Sequence, residues 1–221
     1  MTVMGIYENL ININRDNKVG VLITSDQSAA FGLVNHTILR KKLIHIGYKF
    51  ESVKLIMDYL TDRSQYVEIN SNVSNIIKNR NIGVFQGSIL SGLLYVIYTL
   101  DINSITHEKK HKNNISEYKC HKPKIDAFVD DTYGVIRTNE NNVWNDIKEY
   151  TMKLNSYYTN NRLMNNINKT NIMIITKQNN INNGSINIDD KIIKHVPRVK
   201  ILGTTFNDCL DWSDHVRVIN H

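Results

Sequence analysis

The sequence predicts an α+β (α/β) fold, an antiparallel sheet covered by helices, and three observations lead there. Short β-branched and aliphatic runs alternate with segments whose apolar residues recur at helical spacing, so strands and helices interleave along the chain. Two of the apolar runs flank an Asp130-Asp131 pair, as the arms of a tight hairpin would. At 221 residues and 25.6 kDa the chain can bury one sizeable core, which sets the expectation of a single domain over 1–221.

Residues 19–25, VGVLITS, read as a mostly buried strand that presents the Asp26 carboxylate at its end, an unusual place for an acid. Asn35 can cap a helix from His36 to about Ile46, with Ile38, Leu39, Leu43 and Ile46 at helical spacing and Gly47 as its stop. A second helix follows in ESVKLIMDYLTDR, with Val53, Ile56, Met57 and Leu60 inward. QYVEIN alternates as a half-buried strand should, and a polar connector to Arg80 leads into a glycine-marked turn from Gly83 to Ser88.

The third helix, ILSGLLYVIYTLDI, is apolar over most of its surface and is expected to meet the core on more than one side. Residues 103–124 are polar, basic and rich in histidine, and read as a surface insertion. KIDAFVDDTYGVIR is the hairpin with two acids in its turn. From Asn142 to about Asn160, Val143, Trp144, Ile147, Tyr150, Leu154 and Tyr157 keep a helical period. NIMIITK and SINIDDKIIKH then suggest further strands joined near Asn183-Gly184.

Lys and Arg outnumber Asp and Glu by 27 to 21, and the net charge of +6 tilts the partner expectation toward a polyanion such as nucleic acid. Cys120 and Cys209 stand far apart and give no disulfide framework, so a reducing compartment is expected. The N-terminus has no apolar run after a basic start, and no stretch approaches the ~18 apolar residues of a membrane span. The expectation is a soluble, intracellular protein without a membrane partner; nucleus and cytoplasm are not distinguished.

Phosphoryl transfer to a 3'-hydroxyl needs two divalent ions about 4 Å apart, one acting on the attacking oxygen and one on the leaving pyrophosphate. A carboxylate at the end of one strand and two more on an adjacent hairpin turn would put several hard oxygen ligands in one small volume, which suits Mg²⁺. A bare Asp-Asp turn is common, and the order of the surrounding motifs is what separates this one from the ordinary case.

Those motifs are SDQSAAFGLVNHTIL, GVFQGSILSGLLYVIY, FVDDT, NRLMNNINKTNIMI and RVKILGTTFNDCLDWSDHV. In that order they resemble the series found in reverse transcriptases of non-LTR retrotransposons. The first resembles D-x-x-x-A-F-D followed shortly by His, matched by Asp26, Ala30, Phe31 and His36. The second resembles G-V-P-Q-G-S-x-L-S-P, matched by Gly83, Val84, Gln86, Gly87, Ser88, Leu90 and Ser91, and the third resembles F-A-D-D, matched by Phe128, Asp130 and Asp131. Gly32, Phe85 and Gly92 stand where the family pattern has an acid and two prolines.

The resemblance implies a reverse-transcriptase palm with its core over about 19–206, fingers and thumb largely missing. It implies an RNA-directed DNA polymerase that adds dNTPs to a DNA primer on an RNA template, with two Mg²⁺ ions, or Mn²⁺, held by Asp26, Asp130 and Asp131. It places Gln27, Phe31, Gln86, Gly87 and Lys169 beside nucleotide or template, with Phe31 blocking a ribose 2'-hydroxyl, and Leu202 and Gly203 in the turn that grips the primer. The alternative is an inactive fragment that retains only nucleic-acid binding. The insertion also carries His107, His111, Cys120 and His121, whose spacing matches no standard zinc finger, and a solvated loop is preferred there to a metal site.

Overall fold

Every residue from Val19 to Ser25 is buried, which makes β1 (Val19–Ser28) an inner strand of a sheet covered on both faces. The structure, a computed structural model, describes residues 3–78, 82–106, 121–177, 184–188 and 191–219. In chain order the elements are α1 (Val3–Arg15), β1, α2 (His36–His45), α3 (Phe50–Leu60), β2 (Ser64–Gln65), β3 (Glu68–Ile69), β4 (Asn72–Val73), β5 (Ile77–Lys78), α4 (Ile89–Thr99), β6 (His121–Phe128) and β7 (Asp131–Thr138). Then come α5 (Val143–Asn160), β8 (Met164–Ile175), β9 (Ser185–Ile188), β10 (Lys191–Lys194), β11 (Arg198–Ile201), β12 (Thr204–Asn207) and α6 (Ser213–Ile219). The chain divides into two compact units: Met1–Gln27, Ile102–Tyr157 and Asn165–His221 form the first, Ser28–Asp101 and Tyr158–Met164 the second.

The first unit is built on a sheet in the order β6-β7-β1-β8. β1 and β7 run antiparallel, from Val19 opposite Thr138 to Asp26 opposite Asp131. β6 pairs antiparallel with β7 on its other side and ends with Phe128 opposite Asp131. Side chains alternate between the two faces of a strand, and here each face has its own cover. On one face Leu22, Tyr133, Val135, Met173 and Ile175 meet Ile6, Leu10 and Ile13 of α1 and Val199, Ile201 and Phe206 of the β11–β12 hairpin. Burial of each such side chain contributes roughly 1.5–3 kcal/mol. α5 buries Val143, Ile147, Tyr150, Leu154 and Tyr157, the helical period read from the sequence.

Helix α1 was not legible in the sequence. VMGIYENLININR is rich in β-branched residues and asparagine, which are weak helix formers, and the helix is held instead by packing of its buried Ile6, Leu10 and Ile13. The Tyr7 hydroxyl also donates to the Leu210 carbonyl at 3.0 Å.

In the second unit the Asn35 cap forms as expected, its side chain accepting from the Ile38 N–H at 3.1 Å. Tyr98 ties three segments together: its hydroxyl donates to the Asn161 carbonyl at 2.6 Å and accepts from the Asn35 N–H at 3.3 Å. Lys42 donates to the Tyr98 carbonyl and to Asp101, at 2.5 and 2.7 Å, and its burial pulls its pKa down. α4 buries Leu94, Tyr95, Ile97 and Tyr98 while Ile89, Leu93 and Val96 face outward. By length and composition alone, the run Ile89–Thr106 suffices to cross a membrane, in contrast to the expectation that no stretch approaches such a span.

QYVEIN does not form the expected half-buried strand. Residues 64–78 make two short ladders, β2 with β5 and β3 with β4, whose residues are all exposed. The reason is a tight turn at Asn70 and Ser71, both at positive φ, which folds the segment on itself instead of laying it on a core. Of the insertion expected over 103–124, one end lies in a 3-10 turn (Leu100–Thr106) and the other in β6; His107, His111 and Cys120 lie outside the described residues, as does Asn183.

Gly134 of β7 lies opposite both Ile23 and Ile125, and a Cβ there would overlap the Tyr150 side chain of α5. Gly134→Ala should therefore cost about 1–3 kcal/mol in a urea titration through overpacking. An unchanged midpoint would mean that α5 does not lie tightly on this strand.

Candidate active site

The antiparallel register of β1 and β7 makes Asp26 and Asp131 direct cross-strand partners. Directly opposed Cβ atoms stand roughly 4.5–5.5 Å apart, and like charges in that position repel. Asp26 falls on the same strand face as Leu22, and Asp131 on the same face as Tyr133, by the two-residue alternation of each strand. Asp130 precedes Asp131 in the two-residue connection between β6 and β7. The Asp131 carboxyl is pushed above the usual carboxylate range, first by burial and then by the neighbouring charges of Asp130 and Asp26; the Tyr133 hydroxyl and Lys169 pull the other way.

A cation already sits against this acidic edge. The Lys169 ammonium is 3.0 Å from Asp26 Oδ2, and the Asn166 amide reaches the same oxygen at 3.4 Å. The hydrogen bond to Asp26 and the charges of all three aspartates raise the Lys169 pKa, which keeps it protonated. The side chain is 66% exposed, so the pair is screened by water and exchangeable. β8 supports the end of β1 at two further points, where Ser25 donates to Asn165 at 2.9 Å and Asn171 donates to Thr24 at 3.4 Å.

Hard carboxylate oxygens in mutual repulsion, with the Lys169 ammonium drawn against them, fit a divalent cation in their chemistry. Among the described residues, no three His, Cys, Asp or Glu side chains already surround one point at ligand distance. Gln27 is not brought to this edge: it is 4% exposed and points to the opposite face of β1 from Asp26.

Two turns complete the first unit's edge. Val129, first in the β6–β7 connection, has φ 55, a left-handed conformation that a β-branched residue adopts only under strain. In the β11–β12 turn Leu202 and Gly203 have φ 46 and 87, the pair of positive values that a two-residue hairpin turn requires. Tyr133 links the two turns, since its hydroxyl donates to Asp131 Oδ2 at 3.0 Å and also meets the backbone of Leu202. Burial and the Asp131 carboxylate push the Tyr133 hydroxyl pKa well up, so it remains a donor. Nothing in the sequence singled Tyr133 out, because its role comes from tertiary contacts.

Phe31, Gln86 and Gly87 belong to the second unit. Phe31 sits in a 3-10 turn (Ala30–Leu33), its ring centroid 5.2 Å from that of the fully buried Tyr95. The Val84 N–H donates to the Phe31 carbonyl and the Gly83 N–H to that of Val34, both at 2.8 Å. His36 Nε2 lies 2.7 Å from the Gly83 carbonyl and donates to it. Gly83 has φ 87 and passes so close to Gly32 that a Cβ would stand 3.1 Å from the Gly32 oxygen, so a side chain there would be strained in both backbone and packing. The first two sequence motifs thus meet through backbone hydrogen bonds, and Gln86 and Gly87 are left exposed.

Residues 3–206 match the family described as reverse transcriptase (RNA-dependent DNA polymerase). Among curated proteins none matches the sequence. Of solved structures, telomerase from Candida tropicalis in complex with a TWJ fragment of telomeric RNA is similar at a TM-score of 0.62 and 14% identity, over 95% of this chain and 33% of that one. Apo telomerase from Candida tropicalis truncated from its C-terminal domain gives a TM-score of 0.60 at 14% identity over 96% and 39% of the two chains. The apo telomerase gives 0.59 at 13% identity over 95% and 36%. At this identity the likeness is one of fold, and the chain spans 33–39% of the length of these telomerases.

The strain at Val129 is measurable. Val129→Gly removes the Cβ from a left-handed position and should raise the unfolding free energy by about 0.5–1 kcal/mol after the entropy cost of glycine. A loss of stability in the same chemical denaturation would place the stress elsewhere in the hairpin.

Proposed function

The chain belongs to the reverse transcriptase (RNA-dependent DNA polymerase) family, and from that premise we propose that it is the palm of an RNA-directed DNA polymerase of a non-LTR retrotransposon. Both compact units then belong to one reverse-transcriptase-like domain with its core over about 19–206 and an insertion at 103–124. Its partners are an RNA template, a DNA primer and dNTPs. The order and spacing of the five motifs support the retrotransposon assignment. The observation that carries the polymerase reading is the register that sets Asp26 directly opposite Asp131, with Asp130 adjacent.

In this reading Asp26, Asp130 and Asp131 hold two Mg²⁺ ions, with Mn²⁺ as a substitute. The ions, when bound, activate the primer 3'-hydroxyl and steady the departing pyrophosphate. The protein's own residues do the rest. Tyr133 keeps the Asp131 carboxylate oriented by its hydrogen bond. Lys169 is the resting counter-ion of Asp26; it is exposed and protonated, so it can leave for the triphosphate of an incoming nucleotide and neutralise the leaving group. Phe31, braced by Tyr95, provides the ring that excludes a ribose 2'-hydroxyl. Gly87 allows close backbone approach to the nascent base pair, and exposed Gln86 offers its amide to template or nucleotide. The Leu202-Gly203 turn grips the primer strand.

Primer extension on an RNA template annealed to a DNA primer, with Mg²⁺ and dNTPs, tests the reading. Extension is expected from the wild-type chain and should fall by on the order of a hundredfold or more in Asp130→Asn. Folded wild-type protein that binds the primer–template without extending it would contradict polymerase activity and support a fragment that retains nucleic-acid binding alone.

A further inference from the structure

The turn from Gly83 to Ser88 has glycines at positive φ on either side of Gln86, Gly83 at φ 87 and Gly87 at φ 84, and its own backbone supplies a closing hydrogen bond from the Ser88 N–H to the Phe85 carbonyl at 3.2 Å. Side chains from outside the turn add to that bond. The Tyr59 ring, from α3, meets the Phe85 ring edge-on, with centroids 6.2 Å apart and planes at 81°. The Tyr59 hydroxyl shares a hydrogen bond of 2.6 Å with Ser88 Oγ, the cap of α4. Tyr59 is itself held: the Arg63 guanidinium lies 5.2 Å from its ring centre, and Arg63 Nε donates to the Tyr59 carbonyl at 2.8 Å. On the far side, the Ser91 hydroxyl donates to the Phe85 carbonyl.

We propose that Tyr59 is a positioning residue, which clamps Phe85 and Ser88 so that Gln86 and Gly87 are presented to the nascent base pair in one orientation. The inference rests on the reading of Gln86 and Gly87 as nucleotide- and template-contacting groups. Tyr59 acts through the two residues that bracket them, Phe85 by its ring and Ser88 by its hydroxyl. It performs from outside the work that a fixed φ at position 85 would perform from within the chain. Among the described residues the Phe85 N–H donates to no backbone carbonyl, so a proline at that position forfeits no such bond.

That equivalence supplies the test. Tyr59→Leu, Tyr59→Phe and the double variant Tyr59→Leu/Phe85→Pro are compared with the wild-type chain by amide hydrogen exchange over residues 83–91 and by KM for dNTP and kcat in primer extension. Tyr59→Leu should speed exchange in this segment and raise KM, each by about tenfold, with kcat little changed. Tyr59→Phe, which removes only the bond to Ser88, should give about threefold and stands in if the leucine variant does not fold. The double variant should return both readouts to within about twofold of wild type.

Exchange that does not respond to Tyr59, or responds and is not restored by proline, overturns the clamp. An exchange pattern that behaves as expected beside wild-type protein that extends no primer supports the clamp and overturns the polymerase reading.

Discussion

Two carboxylates face each other across adjacent strands, Asp26 on β1 and Asp131 on β7, and the rest of the first unit holds them there against their repulsion. The repulsion is relieved in part by Lys169, which pairs with Asp26, and in part by Tyr133, which donates to Asp131. Burial still raises the Asp131 pKa, so the arrangement is costly without a cation. The core sets the register that creates it. Leu22 and Tyr133 face α1 in a shared apolar cluster, and a slip of one residue would send both them and the acids to the opposite face. Packing far from the acids therefore fixes their geometry.

The second unit solves a different problem, which is to hold a glycine-bracketed turn in one shape. The backbone of Gly83 lies against Gly32, His36 holds the Gly83 carbonyl, and Val84 bonds to Phe31. Where the family pattern has proline, the chain has Phe85, and its ring finds Tyr59. Gly32, at the position of the pattern's second acid, leaves open space beside its Cα and coincides with the close approach of Gly83.

Much of this was legible in the sequence where local rules govern. The Asn35 cap and the helical period of α5 depend on neighbours a few residues away and form as read; the hairpin around Asp130-Asp131 also forms, but with Val129 and Asp130 in its turn and Asp131 already on β7, where the strand ladder claims it. What was not legible depends on distant partners. α1 has weak intrinsic propensity and exists because Ile6, Leu10 and Ile13 find a core that joins Leu22 of β1 to strands over a hundred residues on. QYVEIN has the alternation of a half-buried strand but folds on itself at Asn70-Ser71 and stays exposed. Among the site residues, the three aspartates and Lys169 stood out by motif, whereas Tyr133 and Tyr59 are two tyrosines among 11 until their hydroxyls are placed. Gln27 shows the converse: adjacent to Asp26 in sequence, it is turned to the other face by the strand's alternation.

The central claim is that the opposed carboxylates are built for a divalent cation, and direct binding tests it without requiring turnover. Mn²⁺ uptake would be followed by electron paramagnetic resonance of the free ion, for the wild-type chain beside Asp26→Asn and Asp131→Asn. The expected result is saturable uptake by the wild-type chain that weakens at least about tenfold in either variant. Equal uptake by all three proteins, or none by the folded wild type, would contradict the claim.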